Sequence, residues 1–288
     1  MRHDLRKHTL HGASQIGGFC MKKRNTKTLL TALLFLCVLL AAAVPAQAAS
    51  RKKQTNTWST QNGYHYYYNA DGKKVTGMVK IGSRYYYFDK NGIQRYGWKK
   101  VKSNYYFFRI STKAKAAYRL TSTKVNGITL DAQGRASKSG SNLRKLKLMV
   151  AANATVERIT SPGMNKMQRL QVCFNYAKKN FKYYTWRQFS PKTDWEKDFA
   201  EDIFFRGGRG DCFSYGAAFA YLANAVGMKD VYIISSGGHG WAEIKGKVYD
   251  PDWALVSNVD SYFKMSYDLS GVNGRPLYKP NRAYAVKL

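Results

Sequence analysis

The sequence predicts an α+β protein, in which β-hairpin repeats precede a domain of helices packed on an antiparallel sheet. Aromatic residues recur at an offset of 20 residues in the first half, whereas apolar residues follow helical spacing after about residue 142. The 288 residues, 44% of them hydrophobic, suffice for one large domain or two modest ones. We expect four segments: an N-terminal extension with a secretion signal (1–48), a linker (49–57), aromatic repeats (58–138) and a second domain (139–288).

The N-terminal segment has the pattern of a secretion signal. Basic residues at 22–27 precede an apolar run at 29–44, and the small-residue triplet Ala46-Gln47-Ala48 follows. The run has 16 residues, fewer than the roughly 20 that span a bilayer, so we predict cleavage after Ala48 and no permanent membrane anchor. Either Met1 or Met21 can be the start, because Met21 opens the signal pattern.

The chain is strongly basic, with 48 Lys and Arg against 17 Asp and Glu and a formal net charge of +31. On a secreted protein, such charge favours attraction to an anionic surface, and a wall rich in phosphate polymers fits better than nucleic acid. Basic aromatic runs can stack on single strands, but no nucleic-acid motif is present, and we expect no nucleic-acid partner. The predicted location is therefore outside the cell and associated with its wall.

The aromatic repeats begin at Trp58, Met78 and Trp98. The same offset superposes three aromatic runs, at 65–68, 85–88 and 105–108. Asp71-Gly72 and Asn91-Gly92 predict turns, so each unit is expected to form an aromatic strand, a turn and a short return strand. A 20-residue hairpin cannot bury both of its faces alone, and we therefore expect the units to stack into a solenoid.

These units resemble the cell-wall-binding repeats of surface proteins from Gram-positive bacteria, a family that includes choline-binding and glucan-binding modules. The resemblance covers residues 58 to about 138, with a weaker fourth copy at 127–134. In choline-binding members, Trp and Tyr rings of adjacent repeats surround a quaternary ammonium. The resemblance implies ligand contacts by five rings, those of Trp58, Tyr66, Tyr86, Trp98 and Tyr106. Met78 stands where a Trp is expected, so a teichoic acid or a glucan is as good a candidate ligand as choline.

The second domain carries two cysteines in different settings. Cys173 falls on the apolar face of a predicted helix, which indicates a core residue. A capping box at 193–196 predicts the start of another helix. The glycine-rich loop 207–210 leads to Cys212, which begins a small-residue-rich helix closed by Gly227. At a helix N-terminus, the free amides and the helix dipole stabilise a thiolate, the form that attacks carbonyls.

His239 and Asp250 lie on two predicted neighbouring strands. A tight turn at 245–247 brings the strands 239–244 and 248–250 side by side, so the two residues are expected near one end of the pair. His239 is the one histidine of the second domain, which leaves Cys-His chemistry a single candidate imidazole. The spacing predicts a carboxylate that orients an imidazole beside Cys212.

Three short motifs carry a second resemblance: Gly-Asp-Cys at a helix start (210–212), then His-Gly-Trp-Ala-Glu (239–243), then Tyr-Asp-Pro-Asp (249–252). This order resembles the transglutaminase-like superfamily and implies a papain-like core over about residues 143–288. Carried over, Cys212 is the nucleophile, His239 the general base and acid, and Asp250 the orienting carboxylate. Asp252 is the rival for that third role.

The two resemblances together imply a secreted, wall-associated cysteine enzyme that transfers acyl groups or hydrolyses amides on peptide or protein substrates. A cysteine peptidase or amidase that acts on wall peptides is one alternative, and a wall-binding interaction protein with a vestigial triad is another. We expect no metal or other cofactor, because one imidazole and two thiols do not make an ordinary zinc site without Cys173.

Overall fold

The computed structural model describes residues 53–257, 262–278 and 284–288. The predicted N-terminal extension and secretion signal at 1–48 lie outside these residues. From Lys53 onward the chain forms one compact unit. Hairpins come first, and helices with a five-stranded sheet follow, which confirms the mixed α+β prediction.

Four β-hairpins make up the N-terminal part. Their strands are β1 (Thr57–Gln61), β2 (Tyr64–Tyr68), β3 (Gly77–Ile81), β4 (Arg84–Phe88), β5 (Gln94–Arg95), β6 (Gly97–Val101), β7 (Asn104–Phe108), β8 (Thr123–Val125) and β9 (Ile128–Leu130). Each of the first three long pairs joins the strand that carries the repeat's Trp or Met to the aromatic strand after it, as in the register Trp58↔Tyr67. The weaker fourth copy is also a hairpin, with Ile128 and Leu130 buried.

The long hairpin turns differ from those expected. Asp71-Gly72 and Asn91-Gly92 do turn the chain, but they lead only into a single bridge at Lys74 and the two-residue strand β5. The five-residue ladders close at other turns, such as Asn62-Gly63, where both residues have positive φ. The strand before each aromatic run escaped prediction because a sequence such as Thr57–Gln61 is largely polar.

The helices and the sheet form the C-terminal part. The helices are α1 (Asn142–Ile159), α2 (Lys166–Asn180), α3 (Trp195–Phe205), α4 (Cys212–Val226) and α5 (Trp253–Val256). The strands are β10 (Lys182–Tyr183), β11 (Arg209–Gly210), β12 (Val231–Ser235), β13 (Gly240–Ile244), β14 (Lys247–Tyr249), β15 (Phe263–Met265) and β16 (Ala285–Lys287). Five strands form an antiparallel sheet in the order β15-β14-β13-β12-β16.

Helix α4 is the centre of the core because it is apolar on all sides and almost completely buried. Helices α1, α2 and α3 pack against it, as do strands β12 and β13. Two glycines permit its close approach to β13. A Cβ atom on Gly216 would lie 2.6 Å from the Cα of Trp241, and one on Gly240 would lie 2.7 Å from the Cα of Phe213. Small residues at these positions therefore set the distance between α4 and the sheet.

Two local predictions have different outcomes. Cys173 lies on α2 and is fully buried, as predicted. The predicted capping box at Thr193 is wrong, because Asp194 holds the N-cap position with a φ of 67° and its side chain caps no amide. The Asp194 carboxylate instead accepts a hydrogen bond from Lys197 Nζ at 2.5 Å.

The third repeat packs directly against the helices. Trp98 on β6 is 1% exposed and belongs to the same buried cluster as Leu146 and Met149 of α1. Lys99 pairs with Glu157 of α1 at 2.5 Å, and Arg169 of α2 donates a hydrogen bond to the Tyr96 hydroxyl. One core therefore runs from β6 and β7 into the helices.

Candidate active site

Cys212 is the first residue of α4, and the residues just before it fix the turn that leads into the helix. Asp211 occupies the N-cap position and accepts a hydrogen bond from the Ser214 amide at 3.2 Å. Gly207 and Gly208 both adopt positive φ, which makes the loop before the helix possible. The Cys212 side chain lies at the floor of a cleft and is largely buried.

His239 lies in the connection between β12 and β13. Its amide donates to Ser236 Oγ at 3.2 Å, and its carbonyl accepts from the Ser236 amide at 2.9 Å. The ring is packed among aromatic neighbours, with the Tyr278 ring centroid at 5.9 Å and the Trp241 centroid at 6.0 Å. These contacts fix both the backbone and the ring plane of His239.

Asp250 follows β14 and is fully buried. Its Oδ2 lies 2.6 Å from His239 Nε2 and accepts a second hydrogen bond from the Tyr278 hydroxyl at 2.6 Å. Its Oδ1 accepts from the amides of Asp252 and Trp253 at 3.1 and 3.0 Å. Four donors converge on one carboxylate, so its position and its contact with the imidazole are tightly determined. Asp250, and not Asp252, is the carboxylate that meets His239.

The imidazole links this carboxylate to the thiol. Because Nε2 meets Asp250, Nδ1 is the ring nitrogen that remains for Cys212, and a ring nitrogen of His239 lies within 4.8 Å of Cys212 Sγ. Burial lowers the pKa of His239, but the charge and hydrogen bond of Asp250, with the hydrogen bond to Cys212, raise it to about 10. The imidazolium form of His239 is thus favoured at neutral pH.

Asp252 is a third ionisable group beside the thiol. One ligand atom each from Cys212, His239 and Asp252 lie within 4.8 Å of one another. Burial, and then the negative charge of Asp250, raise the pKa of Asp252 to about 7. The sequence motif identified this residue only as a rival of Asp250, and the structure gives it a separate place on the cleft wall.

The cleft above Cys212 has a volume of about 470 Å³. Its polar wall carries Cys212, His239 and Asp252. The remaining wall is largely apolar and contains Tyr183, Trp253, Leu255, Val256 and Pro276. Val256 is 71% exposed, so the cleft opens to solvent along an apolar edge.

The structure brings only some of the predicted ligand-binding rings together. Trp58 and Tyr86, from successive repeats, are edge to face with centroids 5.0 Å apart. Tyr66 is buried beneath Lys74, whose Nζ lies 3.7 Å from the ring centroid. Trp98 and Tyr106 lie elsewhere and are buried, and Trp98 Nε1 donates to Asn126 Oδ1 at 2.9 Å.

Comparison with protein families matches both halves of the chain. Residues 75–112 match the choline-binding repeat, and residues 153–256 match the transglutaminase-like superfamily. The first match covers strands β3 to β7 of the hairpin part, and the second covers most of the helices and part of the sheet. The second match contains Cys212, His239 and Asp250 within its bounds.

Among solved structures, the chain is similar to the choline-binding domain of a Streptococcus pneumoniae protein, at 26% identity over 30% of this chain and 98% of that one, with a TM-score of 0.26. It is also similar to choline-binding protein F of Streptococcus pneumoniae, at 25% identity over 28% of this chain, with a TM-score of 0.25. The chain spans 26% of the length of that protein. No curated protein matches the chain.

Sequence reasoning missed Tyr278 as a neighbour of the candidate site. Its hydroxyl is buried against Asp250, and burial together with the Asp250 charge raises the pKa of the phenol. Residue 278 lies 28 positions beyond Asp250, in a segment without helical or alternating pattern, so no local signal placed it there.

The part of the chain that the structure describes contains no helix both long and apolar enough to cross a membrane. Helix α4 is mostly apolar, and the surrounding helices and strands bury it.

Proposed function

We propose that this protein is a secreted, wall-associated cysteine enzyme that forms a thioester between Cys212 and an acyl group of a peptide or protein substrate. The observation that carries the proposal is the juxtaposition of Asp250, His239 and Cys212 at the start of α4, with 2.6 Å between His239 Nε2 and Asp250 Oδ2 and a His239 ring nitrogen within 4.8 Å of Cys212 Sγ. The match of residues 153–256 to the transglutaminase-like superfamily supports it. We also propose that these residues form a papain-like core.

Each residue has one task in the proposed reaction. The Cys212 thiolate attacks an amide carbonyl, and the His239 imidazolium gives its proton to the departing amine as the C–N bond breaks. Asp250 holds the ring in place and favours its charged form. A water molecule or a primary amine then attacks the thioester and gives its proton to His239, and the Cys212 thiolate leaves.

The start of α4 also supplies a place for the developing oxyanion. The first amides of a helix have no acceptor within the helix, and the helix dipole adds partial positive charge there. We propose that amide groups at the Cys212 end of α4 stabilise the tetrahedral intermediate. This arrangement resembles an oxyanion hole, which is effective because its donors are fixed before the reaction.

Two fates of the thioester remain as alternatives. Attack by an amine makes the enzyme an acyltransferase, and attack by water makes it a peptidase or amidase. In the second case we propose wall peptides as substrates, because residues 75–112 match the choline-binding repeat. Incubation with Gln- and Lys-containing peptides, followed by mass measurement, separates them. A cross-linked product with loss of ammonia identifies the transferase, and a shortened or deamidated peptide identifies the hydrolase. Absence of both products, with Cys212 intact, would leave the interaction protein with a vestigial triad.

We further propose that residues 58–138 stack as a solenoid and hold the enzyme at the wall through choline, a teichoic acid or a glucan. The match of residues 75–112 to the choline-binding repeat and the ring pair Trp58–Tyr86 support this proposal. Of the rings predicted from the sequence, Trp58, Tyr66, Tyr86 and Tyr106 are proposed to bind the ligand, whereas Trp98 packs in the core against α1. Co-sedimentation with purified walls, with and without added choline, tests retention and its ligand together. A protein that stays in solution with walls at physiological salt would contradict the anchoring role.

A further inference from the structure

The Asp252 carboxylate lies beside the thiol, and its one favourable charge neighbour among the described residues is His239. Asp252 is 8% exposed and lines the cleft with Cys212 and His239. Across residues 53–257, 262–278 and 284–288, no hydrogen bond or ion pair reaches its carboxylate, although its amide donates to Asp250 Oδ1. Because no hydrogen bond holds these carboxylate oxygens and the residue lines the cleft, they are available to a ligand from outside the chain.

The neighbours of Asp252 have the chemistry of zinc ligands. The ligand atoms of Cys212, His239 and Asp252 lie within 4.8 Å of one another. With bond lengths of about 2.0–2.3 Å, the ligands of a tetrahedral zinc ion lie roughly 3–4 Å apart, so side-chain adjustments of about 1 Å suffice. Thiolate and imidazole ligands favour zinc over the hard cations magnesium and calcium. All three residues line the open cleft, where water can supply a fourth ligand.

The surroundings of His239 also match those of a metal-binding imidazole. Its Nε2 meets a carboxylate that is itself fixed by three further hydrogen bonds, those from Tyr278, Asp252 and Trp253. A carboxylate on the far nitrogen of a histidine holds the ring and strengthens the metal bond at the near nitrogen. The near nitrogen, Nδ1, is the one that Asp250 leaves unoccupied.

We infer that Cys212, His239 and Asp252 bind one zinc ion, which reversibly blocks the thiol. The Cys212 Sγ, His239 Nδ1 and Asp252 carboxylate donate electron pairs to the ion, and the proton that the thiol and imidazole share is released to solvent. The bound sulfur no longer attacks a carbonyl. Only the block of catalysis by zinc rests on the proposed function, because zinc binding itself is measurable without turnover. The sequence argument against a zinc site counted thiols and imidazoles alone, and Asp252 supplies the ligand that it lacked.

Zinc binding is tested on the reduced mature protein by dialysis against buffered zinc, together with iodoacetamide labelling of Cys212. We expect one ion per chain, slower labelling of Cys212 with zinc, recovery with a chelator, and no protection by magnesium. Asp252→Asn should weaken zinc binding at least about tenfold. The matched control is Asp268→Asn, which removes an exposed carboxylate that accepts a hydrogen bond from Ser266 Oγ. This variant should leave zinc affinity unchanged.

The outcomes separate this inference from the proposed function. Labelling of Cys212 that zinc does not slow, or equal zinc affinity in Asp252→Asn and wild type, overturns the site even if thioester chemistry is found. Full activity in Cys212→Ala overturns the proposed function. In that case the zinc stoichiometry of the wild-type protein still tests whether the zinc site exists. If Asp252→Asn does not fold, as circular dichroism would reveal, the wild-type stoichiometry and the protection of Cys212 decide alone.

Discussion

Gly216 of α4 lies so close to Trp241 of β13 that an added Cβ atom would be 2.6 Å from the Trp241 Cα. This contact is backbone against backbone, so neither side can move aside as a flexible side chain would. The contact lies four residues beyond Cys212 on α4 and two residues beyond His239. The spacing of α4 and β13 at this point therefore determines the separation of the thiol from the imidazole.

The first prediction is that Gly216→Ala destabilises the protein and lowers its activity. The added methyl group must push α4 away from β13, and overpacking of this kind costs about 1–3 kcal/mol. Denaturant unfolding measures the loss. The control is Gly163→Ala, because a Cβ atom there meets nothing within 4 Å and the residue lies outside the positive-φ region. Equal stability of both variants would contradict the close packing of α4.

The second prediction concerns the orienting carboxylate. Asp250→Asn keeps the shape of the side chain but removes the charge that favours the imidazolium form of His239. Turnover should fall by orders of magnitude, on the order of 10³–10⁴-fold, while Cys212 remains open to alkylation. Steady-state kinetics and labelling of the same preparation check both parts. An Asp250→Asn enzyme with near wild-type turnover would point to Asp252 as the orienting group.

The third prediction assigns a positioning role to Tyr278. Tyr278→Phe removes one of the four hydrogen bonds on Asp250 and leaves the ring packing against Trp241 and His239 intact. A hydrogen bond to a charged group contributes about 1.5–3 kcal/mol, so we expect turnover to fall roughly tenfold or more with little change in KM. A changed pH profile of turnover should accompany it. A variant that alters KM alone would mean that Tyr278 contacts substrate instead.

The fourth prediction separates the two thiols by pH. Burial raises the pKa of Cys173 to about 12, so this thiol stays protonated throughout the neutral range. Its labelling by iodoacetamide should be negligible between about pH 6 and pH 9 in the folded protein and should appear on unfolding, when the thiol returns to a pKa of about 8.5. Cys212 should label quickly, and His239→Ala should slow that reaction. Equal labelling of both thiols in the folded state would remove the basis for a special role of Cys212.

The fifth prediction concerns the junction between the repeats and the helices. Glu157→Gln leaves the Lys99 ammonium buried without its counter-ion, and we expect a loss of about 3 kcal/mol of stability. Burial lowers the pKa of Lys99 while Glu157 opposes this effect, so loss of the carboxylate lowers it further. The double variant Lys99→Met, Glu157→Gln should recover much of the loss in a double-mutant cycle. Additive effects would mean that the pair does not couple the two parts.

Local patterns were sufficient to predict the main parts of the candidate site. The glycine-rich loop before Cys212 and Gly227 after α4 mark a helix, and the tight turn at Lys245-Gly246 brings β13 beside β14 with the pairing Ile244↔Lys247. Residues close in sequence thereby place Cys212, His239 and Asp250. The rest depends on distant contacts, which leave no periodic signal: Tyr278 against Asp250, β16 against β12, and Trp98 against α1.

The most direct test of the central claim is the mass of the protein itself during turnover. Acid quenching soon after mixing with a Gln-containing peptide should trap a thioester that increases the protein mass by the peptide less ammonia. Proteolytic mapping should locate the addition on Cys212, and hydroxylamine should release it. Cys212→Ala should show no addition and no product. Product formation by Cys212→Ala, or an acyl group on any other residue, would contradict the proposal that Cys212 is the nucleophile.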